Sequence, residues 1–190
     1  AAQTREVLEL AEGAGLLAAE AMWTRYMPAR RMLDEILASG IIGRPFCLTA
    51  NLSYDIDEVE RLAEPALAGG ALLDVGIYPI SFALMAFGSD IARIVSGAQL
   101  TDKGVDGQDS ITFQYRDGRQ ALLYSSMYCR SDRQGTIAGE KGYLIVKNIN
   151  NPQRITVYDT DDREIARYDV PTQITGYEYE VYAAMEAVSQ

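Results

Sequence analysis

The second half of the chain is a succession of short apolar runs separated by turn signals, and this pattern constrains the fold more than any other feature. Asp117-Gly118 is a two-residue hairpin signal, and Gly139–Gly142 and Asp159–Asp162 are further turns. Consecutive hairpins build an antiparallel sheet. The predicted strands are Ile91–Leu100, Ser110–Tyr115, Gln120–Tyr128, Gly135–Ala138, Tyr143–Val146, Arg154–Tyr158 and Glu164–Tyr168.

Helices and one further sheet strand precede these hairpins. Ala1–Ala11 predicts an amphipathic helix that ends at Gly13, and Leu16–Met22 predicts a buried strand. Pro28 begins the next helix, because a proline is tolerated in the first helical turn. Phe46–Tyr54 then alternates as a strand. We expect a polar loop with a short helical turn to follow over Asp55–Ala68, and a last helix over Tyr177–Val188.

The order of these elements predicts an α+β fold with a large, mostly antiparallel open sheet that carries helices on one face. A helix followed by a turn and a buried strand seldom begins a complete domain. We therefore interpret residues 1–22 as the tail of a preceding α/β domain, and residues 23–190 as a second domain. A length of 190 residues suits one domain with a fragment of another.

One apolar stretch, Gly69–Phe87, contains a carboxylate and a phenol that the packing of a core helix does not require. Asp74 and Tyr78 are four residues apart, so a helix would place them on one face about one turn apart. A carboxylate in an apolar environment is costly unless it is paired. Pro79 either kinks this helix or lies near its start. The simplest alternative is a core helix in which Asp74 caps a local group; a membrane span is disfavoured by the Asp, the Pro and the glycines.

Composition excludes several function classes. The net charge of −10 disfavours nucleic acid and anionic membrane as partners. The chain has no histidine, which removes Ser-His-Asp and Cys-His catalysis and most zinc sites, and we expect no metal site. Cys47 and Cys129 lie in apolar contexts and are expected to be buried free thiols of a reducing, cytoplasmic compartment; a disulfide between them remains an alternative.

Two predicted strands are apolar on both faces, namely Leu122–Tyr128 and Tyr143–Val146. We expect the helices to cover one face of the sheet. The other face is too apolar for full exposure, so we expect a homodimer or tetramer that packs through it.

Five segments together resemble the Gfo/Idh/MocA oxidoreductases, and in particular the branch of dimeric dihydrodiol dehydrogenase and glucose–fructose oxidoreductase. The most specific segment is the Gly-Gly-x-Leu-x-Asp-x-Gly-x-Tyr pattern of Gly69–Pro79. The others are Glu20–Pro28, Gly40–Gly43, Gly139–Gly142 and Gly176–Glu178. Many members of that family have a His at the position of Tyr78, whereas the branch named here has Tyr.

The resemblance implies an NAD(P)-dependent dehydrogenase or reductase whose N-terminal Rossmann domain binds the cofactor. This chain would be the C-terminal portion: residues 1–22 would be the tail of the Rossmann domain, and residues 23–190 the C-terminal α/β substrate-binding and oligomerisation domain. It contains no Gly-x-Gly-x-x-Gly fingerprint, and the family's Glu-Lys-Pro motif with its catalytic Lys would lie just before Ala1. We therefore expect the isolated fragment to be inactive and to bind no NAD or NADP, while the parent protein transfers a hydride between nicotinamide and a sugar, polyol or cyclic diol or ketone.

The resemblance also implies the site residues. Tyr78 would be the acid–base partner at the substrate carbinol, and Asp74 would orient the Lys or hold a substrate hydroxyl. Trp23, Arg25 and Val75 would bind substrate, although Trp23 is almost as well explained by core packing and Arg25 by a surface ion pair. The alternative function is a non-catalytic oligomerisation or interaction module built on the open sheet; such a module needs neither Asp74 nor Tyr78.

Overall fold

The computed structural model describes residues 2–189, which divide into two compact units. Pro28–Pro171 form the larger unit, and the residues up to Met27 together with those from Thr172 onward form the smaller one.

The larger unit is built on an eight-stranded open sheet of order β2-β3-β4-β1-β5-β6-β7-β8. Only the β1–β4 pair is parallel. The β1–β5 pair is antiparallel, and the other five pairs are antiparallel hairpins of consecutive strands. The predicted mostly antiparallel sheet is thus confirmed. The strands are β1 Pro45–Ser53, β2 Ile91–Leu100, β3 Asp106–Tyr115, β4 Gln120–Ser126, β5 Gly135–Gly139, β6 Gly142–Lys147, β7 Arg154–Asp159 and β8 Glu164–Asp169.

Helices cover one face of this sheet. They are α2 over Pro28–Ala38, the short α3 over Glu60–Ala63, and α4 over Ile77–Phe87. A 3₁₀ turn over Pro65–Leu67 follows α3. By length and composition alone, the helical residues from Pro65 to Phe87 could cross a membrane, but half of their most apolar stretch is buried inside the protein. Helices and strands share one main core, which includes Leu33, Leu48, Phe82, Phe113, Leu123, Ile137, Leu144 and Ile155.

The alternation of each central strand decides which face meets the helices. In β4, Ala121 and Leu123 are buried under the helices, whereas Leu122 and Tyr124 between them are 45% and 47% exposed on the opposite face. The predicted two-sided apolar character of this strand is therefore present in the structure. We call the face that includes Leu122 and Tyr124 the open face.

The smaller unit contains α1 over Ala2–Gly13, a 3₁₀ turn over Trp23–Arg25, and α5 over Glu178–Ser189. The predicted strand over Leu16–Met22 is wrong: these residues form no regular element, and Leu16 is 67% exposed. A strand needs a neighbour for its backbone hydrogen bonds, and none is available to this segment among residues 2–189. The assignment of residues 1–22 to a Rossmann domain remains a prediction.

Both cysteines are free. Cys47 on β1 is half-buried, and burial raises the pKa of its thiol. The prediction of burial is wrong for Cys129, which is exposed, because β4 ends at Ser126 and the strand alternation therefore does not extend to Cys129.

Candidate functional site

The stretch that carries Asp74 and Tyr78 opens with a π-helical turn. This turn spans Leu72–Gly76 and continues directly into α4 at Ile77. Pro79 is the third residue of α4, so of the two alternatives left by the sequence, a kink or a position near the helix start, the structure shows the second. Single π-turns within helices are rare and are frequent at functional sites. Asp74 is the third residue of the π-turn, and Tyr78 is the second residue of α4.

The Asp106 carboxylate, together with two glycines whose backbone lies close to the sheet, fixes the beginning of this turn. The backbone N–H of Leu72 donates to Oδ2 of Asp106 at 2.5 Å. Gly70 adopts φ = 116°, and a Cβ at this position would lie 2.2 Å from Oδ1 of Asp106. Gly76 lies so close to β4 that a Cβ would be 2.8 Å from Oγ of Ser125. The glycines of the pattern are therefore required by the contact between the turn and the sheet.

Asp74 is paired with a cation that the sequence did not indicate. Nη2 of Arg61, on α3, donates to Oδ1 of Asp74 at 2.6 Å. The Asp74 side chain is 26% exposed and that of Arg61 is 57% exposed. The ion pair accounts for a carboxylate in an apolar stretch, and it leaves one face of the carboxylate accessible to a further partner.

The neighbours of Asp74 belong to a small second core. Val75 is 3% exposed and packs with Leu52, Leu62, Ala71 and Met127. The side chain of Val75 thus fixes the turn from inside, and its contact with substrate remains a prediction.

Tyr78 is half-buried and packs against both this second core and the main core. A phenol in this position has its ring held by packing. Its hydroxyl can donate or accept a proton, which is the chemistry expected of an acid–base residue.

A buried carboxylate lies beneath the same helix start. Asp109 on β3 is 9% exposed and faces the helices at the position opposite Ser125, whose hydroxyl donates to Oδ2 of Asp109 at 3.3 Å. Burial and then the neighbouring Asp106 carboxylate raise the pKa of Asp109 to about 6, against a small lowering effect of the Ser125 hydrogen bond. Asp109 and Asp106 thus form a carboxyl pair, and Asp106 in turn holds the Leu72 N–H.

Polar side chains also meet at the end of β1. The phenol oxygen of Tyr54 accepts hydrogen bonds from Nη1 of Arg133 at 3.0 Å and from Nδ2 of Asn150 at 3.2 Å. Arg133 also lies over the Tyr54 ring, 5.3 Å from its centroid. Tyr54 packs against the second core that Tyr78 also contacts.

The two remaining predicted residues belong to the smaller unit. Trp23 is buried and stacks on Tyr177 with ring centroids 4.3 Å apart. The turn before Tyr177 is held by Glu178, whose carboxylate accepts the N–H groups of residues 174–176. Although burial raises it, these donors lower the pKa of Glu178 to about 2. Arg25 is exposed at the end of the 3₁₀ turn. Contact of Trp23 or Arg25 with substrate remains a prediction.

Sequence reasoning missed Arg61, Asp106 and Asp109. No pattern identifies Arg61 as the partner of Asp74, because the contact joins a loop helix to a distant turn. Asp109 could have been found: it occupies an inward position of β3, two residues before Ile111 and four before Phe113. An acidic residue in the apolar half of an alternating strand is the signal.

Residues 2–189 contain neither a dinucleotide-binding glycine loop nor a cluster of metal ligands. Gly13-Ala14-Gly15 lies at the end of α1, whereas a dinucleotide-binding glycine loop joins a strand to a helix. Among residues 2–189, no three acidic or cysteine side chains come together as metal ligands.

The family model of the GFO/IDH/MocA C-terminal domain matches residues 31–145. The chain belongs to the Gfo/Idh/MocA family. The matched range contains the π-turn, Asp74 and Tyr78, so the site described here lies within the family domain.

Relatives and solved structures agree with this assignment. The chain is 29% identical over 180 residues to mouse trans-1,2-dihydrobenzene-1,2-diol dehydrogenase and 31% identical over 173 residues to the Xenopus tropicalis protein of that name. These matches cover 94% and 90% of the chain but 52% and 51% of the relatives, so the chain spans about half their length.

The structural neighbours share the fold. A 3-ketoreductase from Actinomadura kijaniata, solved with NADP and TDP-benzene, superimposes with a TM-score of 0.88 at 21% identity over 98% of this chain and 59% of its own. An aldose–aldose oxidoreductase from Caulobacter crescentus, complexed with glycerol, gives a TM-score of 0.83 at 16% identity, with 96% of this chain and 56% of its own covered. At these identities the similarity concerns the fold alone.

The carboxyl pair beneath the helix predicts a pH-dependent stability. The raised pKa means that the folded state favours the protonated form of Asp109. The loss of stability caused by ionising Asp109 is therefore absent below the unfolded-state pKa, and it grows as the pH rises from there through about 6. Asp109→Asn keeps a hydrogen-bond donor towards Asp106 without an ionisable group. We expect the free energy of unfolding of Asp109→Asn, relative to wild type, to increase between pH 4 and pH 7 and then to level off.

Urea denaturation at several pH values measures this difference. Asp117→Asn is the control, because Asp117 is exposed and its hydrogen bonds with the backbone and side chain of Arg119 lower its pKa. Because folding lowers the pKa of Asp117, the stability of Asp117→Asn relative to wild type should not rise over the same pH range. A constant difference for Asp109→Asn as well would show that folding does not raise the pKa of Asp109.

Proposed function

We propose that this domain is the substrate-binding part of an NAD(P)-dependent oxidoreductase that interconverts an alcohol and a ketone on a sugar, polyol or cyclic diol. The observation that carries the proposal is the π-turn that brings Asp74 and Tyr78 to one helix start, in a chain whose relatives are named dehydrogenases. The neighbour solved with NADP supports a nicotinamide cofactor in this family.

The roles of the two residues follow from their surroundings. When bound, the nicotinamide supplies or accepts the hydride. Tyr78 transfers the proton at the substrate oxygen, because its hydroxyl is attached to a ring fixed by packing. Asp74, with one oxygen occupied by Arg61, orients a substrate hydroxyl or a cationic catalytic group through its other oxygen.

A non-catalytic interaction module is less well supported. Such a module has no need for a carboxylate that is held by Arg61 inside an apolar helix start. The ion pair and the glycines that permit the π-turn both constrain the fold without enlarging its core.

Removal of the Tyr78 hydroxyl tests the acid–base role. In the full-length protein, Tyr78→Phe should lower kcat by about 10²–10⁴-fold, which is the usual contribution of a general acid or base. The phenylalanine ring preserves the packing, so cofactor affinity and thermal stability should remain close to wild type. Steady-state kinetics with cofactor titration measures both quantities. A variant with wild-type kcat would make Tyr78 a core residue only.

We also propose that the protein is a homodimer, or a tetramer of such dimers, formed through the open face. Leu122 and Tyr124 of β4 and Val95 of β2 are each about half exposed on it, and Tyr143 stacks on Tyr158 further along the same face. Patches of this kind on soluble proteins usually mark interfaces. We also propose a cytoplasmic location, which the free thiols of Cys47 and Cys129 favour.

The oligomer prediction is tested by a charge in the centre of the open face. Leu122→Arg should convert the oligomer into a monomer at micromolar concentration, because it places a charge in an interface of more than ~1,000 Å². Leu67→Arg is the matched control: Leu67 is 56% exposed but lies on a 3₁₀ turn outside the sheet. Light scattering on both variants and wild type decides the matter. A wild-type monomer without concentration dependence would contradict the proposal.

A further inference from the structure

Tyr54, Arg133 and Asn150, which meet at the end of β1, have hydrogen-bond donors and acceptors that no other residue of the described chain satisfies. Arg133 forms no ion pair with any carboxylate among the described residues, although the chain carries a net charge of −10. Its side chain is half-buried and is held by Tyr54 through one guanidinium nitrogen. The remaining N–H groups of the guanidinium have no protein acceptor among residues 2–189. A half-buried arginine without a counter-ion favours an anionic ligand.

The phenol of Tyr54 points to the same conclusion. Its oxygen already accepts N–H groups from Arg133 and Asn150. Because both of these contacts use the oxygen as acceptor, the phenol's own proton is free to be donated, and no acceptor for it exists in the described part of the chain. Tyr54 and Arg133 therefore offer donors from adjacent positions to an external oxygen.

Unmatched acceptors lie beside these donors. Oδ1 of Asn150 and Oδ1 of Asn148 are buried and have no hydrogen-bond partner. Buried polar atoms without partners are rare in folded proteins, since each costs free energy on burial. Amide oxygens are suitable acceptors for the hydroxyl groups of a ligand.

Arg133 has an unusual backbone conformation, in which its N–H donates to Oδ1 of Asn51 at 3.1 Å and its carbonyl accepts the N–H of Ile149 at 2.8 Å. It has φ = 56°, a left-handed conformation that non-glycine residues seldom adopt. An arginine in this conformation presents its guanidinium to Tyr54 at the expense of stability. Strain of this kind clusters at ligand-binding positions.

The location connects this group with the proposed reaction site. Tyr54 and Tyr78 pack against the same second core, which includes Leu52 and Val75. Ile149, next to Asn150, lies close to Gly135 of β5, as does Phe82, one turn after Tyr78 on α4. A ligand whose reacting carbon is at Tyr78 can extend along the end of β1 towards Arg133.

We propose that Arg133, Tyr54 and Asn150 form a subsite that binds an anionic oxygen group, a carboxylate or a phosphate, on a hydroxylated substrate. Arg133 and Tyr54 donate to the anionic oxygens, and the amide oxygens of Asn148 and Asn150 accept from neighbouring hydroxyls. The substrate class is then an acidic sugar or polyol rather than an uncharged cyclic diol. This inference rests on the proposed function for the position of the reacting carbon.

Direct binding tests the subsite without turnover. Calorimetry with the full-length protein would compare D-glucuronate, D-glucose 6-phosphate and D-glucose. We expect at least one of the two charged ligands to bind about tenfold or more tightly than glucose, as charge-assisted hydrogen bonds predict. The first charged ligand reports a carboxylate subsite and the second a phosphate subsite.

Two variants identify the residue responsible. Arg133→Gly should reduce the affinity for the charged ligand to that for glucose while leaving the protein folded, because glycine accepts φ = 56° without strain. Arg130→Gly is the matched control, since Arg130 is exposed in the same segment and forms no contact there with Tyr54. Thermal melting of both variants verifies that they are folded.

The possible results separate this inference from the proposed function. Equal affinity for charged and neutral ligands, unchanged affinity in Arg133→Gly, or no binding of either charged ligand up to about 10 mM overturns the subsite. Nicotinamide-dependent turnover of neutral polyols, with kcat/KM unaffected by Arg133→Gly, leaves the proposed function standing without it. Charged-ligand binding that depends on Arg133, in a protein without any nicotinamide-dependent turnover, supports the subsite and contradicts the proposed function.

Discussion

The hydrogen bond from the Leu72 N–H to the Asp106 carboxylate determines where the central helix begins. The first N–H groups of a helix have no partner within it, so an external acceptor decides which residue starts the turn. Asp106 lies at the first position of β3, and the sheet therefore sets the position of the helix start. Gly70 leaves space for the carboxylate. Once the turn begins at Leu72, Asp74 lies within reach of Arg61, and Tyr78 lies against both cores.

The polar groups around this helix reduce stability as well as provide chemistry. Asp109 is buried next to another carboxylate, Arg133 has a left-handed backbone, and two asparagine oxygens lack partners. An apolar core of the same volume would contain none of these features. Proteins commonly retain such unfavourable groups where they bind ligands or catalyse reactions. All of them lie near the ends of β1 and β3 that are closest to the start of α4, whereas the main core beyond Phe82 is apolar.

The sequence predicts the sheet well because hairpin strands depend on local signals. Turn residues such as Asp117-Gly118 and the alternation within each strand are visible without any knowledge of distant contacts, and each predicted strand after Gly88 is present. The strand predicted at Leu16–Met22 fails for the opposite reason, since an apolar run becomes a strand only where a neighbouring strand accepts its hydrogen bonds. Asp74 and Tyr78 could be selected as candidate site residues because they interrupt an apolar run.

The partners of these residues could not be predicted in the same way. Arg61 meets Asp74, and Arg133 meets Tyr54, through contacts that depend on how loops fold back over the sheet ends. No periodicity in the sequence encodes such contacts. The π-turn likewise follows from the sum of the Asp106 bond, the glycine contacts and Pro79, and no single residue specifies it.

A crystal structure of the full-length protein with nicotinamide and a ketone or alcohol analogue would test whether Tyr78 transfers the proton. We expect the reacting oxygen of the analogue to lie within about 3 Å of the Tyr78 hydroxyl, which is hydrogen-bond distance for proton transfer. We also expect Arg61 to remain paired with Asp74. An analogue bound away from the start of α4, with Tyr78 enclosed by protein and out of reach of the ligand, would show that Tyr78 is not the acid–base residue.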